Sequence, residues 1–138
     1  MKTENAKDLK RLAEHLRNGK LIHEKFKFTT FNDGEYDAAG CGTLGCALGE
    51  CPAVFPSTWF FDKNTHMPAI GKFDSVFDTS LDHAVEFFNL DKEDISSLFC
   101  PESQSGMLPT LCNNATKEQV ADNIQLFIEM KGFNYGEL

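Results

Sequence analysis

Gly40-Cys41-Gly42-Thr43-Leu44-Gly45-Cys46-Ala47-Leu48-Gly49 is the stretch on which the reading of the fold turns. Glycine inside a helix costs roughly 1 kcal/mol relative to alanine, yet the pattern around these glycines is helical. On a helical wheel Leu44, Ala47, Leu48 and Cys51 share one face, and Gly42, Gly45, Cys46 and Gly49 share the other. One side is apolar. The other is bare backbone plus one thiol, and no charge appears before Glu50. A helix of this kind is expected to be buried on most sides, with neighbours pressed against its main chain. The expectation is therefore a Gly/Cys-rich central helix over residues 42–51.

Upstream, Leu9, Leu12, Ala13 and Leu16 recur at i, i+3, i+4, i+7 and predict an amphipathic helix over residues 5–18, with Asn5 as cap and Gly19 as stop. Its polar face mixes Lys7, Asp8, Lys10, Arg11, Glu14 and Arg17, the usual make-up of a solvated face. Phe26 and Phe28 alternate with Lys25 and Lys27 as in a short half-buried strand, and Asn32-Asp33-Gly34 is a turn.

Downstream of Pro52, residues 54–61 read as β-prone and extended. Trp59 and Phe61 would then face one side and Phe60 the other. Residues 62–65 read as a turn, and residues 67–73 as a second strand that Pro68 restricts to an edge. Three helices follow. The first carries Leu81, Ala84, Val85 and Phe88, capped by Thr79 or Ser80. The second starts at Asp91, buries Ile95, Leu98 and Phe99, and ends at Pro101. The last opens on a Thr116/Gln119 capping box, carries Val120, Ile124, Phe127 and Ile128, and closes at Gly132. The expected fold is α+β and mainly helical: a single compact domain over residues 1–138 with a small two- or three-stranded β element.

Composition bounds the function. A chain of 138 residues is long enough to bury a core without metals or disulfides, and 13 Phe predict an aromatic-rich one. The net charge of -8 argues against general nucleic-acid binding. That charge is unevenly spread. Residues 1–27 hold eight Lys/Arg against four Asp/Glu, a net +4, while the remainder holds five against seventeen, a net -12. Residues 1–20 are charged and helix-patterned, with no apolar leader-like run, and no stretch approaches the ~18 apolar residues of a membrane span. Five cysteines, an odd count, suit reduced thiols in a cytoplasmic protein.

The start of the Gly/Cys segment is the candidate site. Gly40, Cys41, Gly42 and Thr43 would place unpaired N–H groups at a helix N-terminus, where anions are favoured and a thiol is made more acidic. Trp59, beside Phe60 and Phe61, is a candidate wall of an aromatic pocket. Cys41 is the one candidate nucleophile, with His23, His66 or His83 as a base that spacing alone does not choose. A metal is not expected. Cys41, Cys46 and Cys51 stand five residues apart, so on a helix successive thiols point about 140° away from one another. No C-x-x-C pair exists, and Cys100 and Cys112 match no ligand pattern. The stretch from Asp62 has Met67 and Phe73 where a calcium loop needs Gly and Glu. No cofactor is implied.

The string from Cys41 to Gly49 resembles a C-G-T-x-x-C-x-x-G signature of small bacterial and phage proteins without an assigned activity. The surrounding order is similar too: an amphipathic helix, a Phe-rich linker, a Leu90-Asp91 helix start and Thr116-x-x-Gln119 opening the last helix. Members of that family often carry His or Trp after the last glycine, where this chain has Glu50. The resemblance implies a bacterial or phage cytosolic origin and nothing about catalysis. The leading expectation is a non-enzymatic binding protein that takes a host protein or a small anionic, nucleotide-like ligand. The alternatives are a Cys41-dependent enzyme of hydrolase or transferase type, and a purely structural interaction protein.

Overall fold

This computed structural model describes residues 1–21, 47–62, 68–71, 80–99 and 115–138, and among them lie five α-helices and one antiparallel strand pair. The fold is mainly helical α+β. Helix α1 spans Thr3–Asn18, and α2 is one turn, Cys51–Val54, entered from a 3-10 turn at Ala47–Glu50. Strands β1 (Trp59–Phe61) and β2 (Pro68–Ile70) pair antiparallel, with Trp59 opposite Ile70 and Phe61 opposite Pro68. Helices α3 (Ser80–Phe88), α4 (Lys92–Phe99) and α5 (Lys117–Met130) follow, then a 3-10 turn at Tyr135–Glu137.

α1 stands amid the described elements because its apolar stripe is complete. Ala6, Leu9, Leu12, Ala13 and Leu16 are all fully buried, and the helix packs on α5, α3, α2 and the 3-10 turn before α2. Val120, Ala121, Ile124, Phe127 and Ile128 of α5 are buried in the same core. A chain of rings fills the α3 side: Phe55 lies 4.8 Å from Phe87, Trp59 meets Phe87 edge-on at 5.6 Å, and Phe88 stacks on Phe99 at 5.9 Å.

The capping box of α5 is complete: Gln119 N–H donates to Thr116 Oγ1, and Thr116 N–H donates to Gln119 Oε1. Its far end is a Schellman turn, with Gly132 at φ +92° and Phe133 N–H donating to Ile128 O. Asp91 caps α4, accepting from Asp94 N–H at 2.9 Å. Trp59 buried, Phe60 exposed and Phe61 half-buried follow the expected alternation along β1.

Three expectations shift. Asn5 does not cap α1. The helix begins two residues earlier, and Asn5 Nδ2 donates to Phe87 O, one of the carbonyls that the end of α3 leaves without a helical partner. Residues 54–61 are not extended throughout. Pro52 sits in the first turn of α2, where its missing N–H costs nothing, and the chain turns at residues 55–58 before β1. Of the Gly/Cys segment, the described part is a 3-10 turn running into α2, with Ala47, Leu48, Gly49 and Cys51 buried. Residues 40–46 lie outside the described residues. So do the Phe26/Phe28 strand, the Asn32-Asp33-Gly34 turn, Thr79, Pro101, Cys100 and Cys112.

Candidate functional site

Lys7, Lys10, Arg11, Glu14 and His15 repeat at i, i+3, i+4, i+7, i+8, opposite the buried stripe of α1. Part of this face is not open surface. These five side chains, with Val54 at the end of α2 and Leu138 beyond the last 3-10 turn, line a cleft of about 540 Å³. That volume falls within the range of small-molecule sites.

Two of the cleft's cations, Lys10 and Arg11, are held mainly by main-chain oxygens and aromatic rings. Arg11 Nη2 donates to Val54 O at 2.8 Å, and its guanidinium lies 4.8 Å from the centre of the Phe55 ring. Lys10 Nζ donates to the main-chain oxygens of Tyr135 at 2.8 Å and Leu138 at 3.1 Å, and stands 4.9 Å from the Tyr135 ring centre. Lys7 has no partner among the described residues. The carboxylate paired with Arg11 is Asp8, at a loose 3.9 Å. Burial pushes the Asp8 carboxyl above its ordinary value, with Arg11 pulling it back.

His15 stands farther along α1, with its Nε2 2.8 Å from Glu50 Oε1. Glu50 is only 2% exposed and His15 17%, so the pair ties α1 to the end of the 3-10 turn from the edge of the cleft. Gly19 makes room for the ring. A Cβ there would lie 2.8 Å from His15 O and 3.0 Å from His15 Cγ, and would press directly on Nδ1. Space, rather than backbone freedom, requires this glycine, whose φ is an ordinary -81°.

The last turn of α1 is held differently. Arg17 donates to Glu14 at 3.0 Å, to Asp122 at 2.8 Å, to Gln125 at 2.8 Å and to the Tyr135 hydroxyl at 3.1 Å. Tyr135 in turn donates to Glu14 at 2.6 Å. The tyrosine's hydrogen bond, with Arg17 beside it, holds the Glu14 carboxyl below its ordinary value. Burial and the bond to Glu14 push the Tyr135 hydroxyl far above its own. Burial alone would lower Arg17, but its bonds to Asp122 and Glu14 outweigh that and raise it.

Of the residues expected to form a site, Gly40, Cys41, Gly42 and Thr43 lie outside the described residues, as do His23 and His66. Trp59 is 1% exposed, packs in the aromatic core and does not line the cleft. Its Nε1–H has no hydrogen-bond partner among the described residues. His83 is buried, and its Nδ1 accepts from Ile70 N–H at 3.0 Å, joining α3 to β2. Among the described residues, no three of His, Cys, Asp or Glu gather as a metal site, and no helix is long and apolar enough to cross a membrane. The cleft was not singled out from sequence. Its one advance signal was the excess of positive charge in residues 1–27 of an acidic chain. No family model, curated protein or solved structure matches this chain, so the reading of the cleft rests on its own geometry.

Proposed function

We propose that this is a non-enzymatic binding protein that takes a small anionic, nucleotide-like ligand in the cleft along α1, with Lys7, Lys10 and Arg11 as the anion-holding side chains. One observation carries the reading. In a chain of net charge -8, these three cations share a cleft, and two of them, Lys10 and Arg11, are positioned by main-chain oxygens and aromatic faces. Three cations stand there against one lining carboxylate, Glu14, with Asp8 beside Arg11, and two of the three are already oriented, which lowers the ordering cost of binding. Charge-assisted bonds to a phosphate or carboxylate are roughly twice as strong as neutral ones. The cleft walls, made of lysine and arginine stems with Val54 and Leu138, would cover the apolar part of such a ligand. A bacterial or phage cytosolic setting, implied by the C-G-T-x-x-C-x-x-G resemblance, belongs to the same proposal.

Titration calorimetry with pyrophosphate tests it. Lys7→Gln should weaken binding by about 1.5–3 kcal/mol, the value of a hydrogen bond to a charged group. Lys20→Gln, which removes an exposed lysine from outside the cleft, should leave it nearly unchanged. Equal losses from both variants would mean diffuse attraction rather than a site.

A further inference from the structure

Resting on that reading, we propose that residues 133–138 form a strap that occupies Lys10 and is displaced when an anion enters the cleft. Lys10 sits between two claims. It borders the cleft, yet its ammonium is already bonded to two main-chain oxygens of the strap, those of Tyr135 and Leu138. Leu138 is itself part of the cleft wall. The strap therefore supplies oxygen acceptors where an incoming phosphate would place its own.

The strap joins α1 through polar contacts, with Tyr135 buried in the core and Phe133 and Leu138 packed against it. It leaves α5 through Gly132, whose left-handed turn has open space around the position a Cβ would take. Its polar anchor is Tyr135, through the hydroxyl's bonds with Glu14 and Arg17 and through the ring beneath Lys10. A ligand oxygen carrying negative charge makes a stronger bond to an ammonium than the Tyr135 carbonyl does. Lys7 and Arg11 add attraction that the strap does not use. Displacement frees Lys10 at the cost of the strap's own contacts, so the strap sets how tightly the cleft binds: the apparent affinity is the intrinsic affinity scaled by the fraction of open molecules.

Tyr135→Phe keeps the ring and removes both hydroxyl bonds. If the strap competes, this variant binds pyrophosphate more tightly than the original chain, by roughly threefold to tenfold, the range that a hydrogen bond's worth of closure sets. Hydrogen exchange on the unaltered protein provides the second measurement. Adding pyrophosphate should speed exchange at the amides of residues 133–138 while slowing it in the first half of α1. Unchanged or slower exchange in the strap overturns the proposal, as does unchanged or weaker binding by Tyr135→Phe. The two readings fail separately. If the original chain binds and Tyr135→Phe gains nothing, only the strap idea falls. If neither chain binds, the anion site falls with it. Binding by Tyr135→Phe alone would show a strap that closes the cleft almost completely.

Discussion

The two halves of α1 carry similar side chains to opposite ends. Near its last turn, Arg17 is locked between Glu14 and Asp122, with Gln125 and Tyr135 completing its bonds. At its middle, Lys10 and Arg11 lean mainly on main-chain oxygens, with Asp8 at a loose 3.9 Å from Arg11, and Lys7, one turn earlier, has no partner among the described residues. A cation paired with carboxylates adds little field beyond its own network. A cation held by carbonyls and rings keeps its charge available. The partners, rather than the residue type, decide whether a basic residue on this helix ties elements together or offers a binding surface.

That contrast can be attacked from the structural half first. Gly19→Ala should have the largest effect. Its methyl group would collide with a His15 ring that Glu50 holds in place, destabilising the fold by about 1–3 kcal/mol as an overpacked site does. The check is a shift of the denaturant midpoint without a change in slope. Next, Arg17→Met should cost about 1–2 kcal/mol, while Lys7→Met should stay within about 0.5 kcal/mol of the original. The Arg17 figure is kept low because Glu14 is 43% and Asp122 72% exposed, so water screens both ion pairs. Equal losses in thermal melts of the two variants would erase the distinction between the halves.

The smallest effect is a pH window. Glu14 is held below its ordinary 4.5, so its contribution is present above that value and is lost as the pH falls through the lowered one. Tyr135 is held above its ordinary 10.0, so its contribution is present below that value and is lost as the pH rises toward the raised one. Attachment of residues 133–138 should therefore be firmest between about pH 5 and 10, loosening on either side. Tyrosine absorbance and amide exchange at these residues, followed against pH, provide the check. A flat profile for the Tyr135→Phe chain on the alkaline side would assign that limb to this hydroxyl.

Much of the helical frame was legible because helices report locally. The 3.6-residue period marked α1, α3, α4 and α5. Thr116 with Gln119, and Gly132, marked the ends of α5 at the level of single hydrogen bonds. What depended on partners distant in sequence was not legible. Asn5 looks like a cap until Phe87, 82 residues away, takes its side chain. His15 and Glu50 meet across 35 positions, and nothing local announces it. The basic stripe of α1 read as a solvated face because a single helix does not reveal that Val54 and Leu138 will rise on either side of it. Gly19 was legible as a stop, but its second task, leaving room for an imidazole, requires the folded ring to be in place.

Trp59 is the sole indole in the chain, and it is buried edge-on against Phe87 with its N–H unpartnered among the described residues. The protein thus carries one intrinsic fluorophore, placed at the junction of hairpin and helices rather than at the cleft. Its emission tracks the integrity of the interior, and ligand entry can be followed by other signals without optical interference from a second tryptophan.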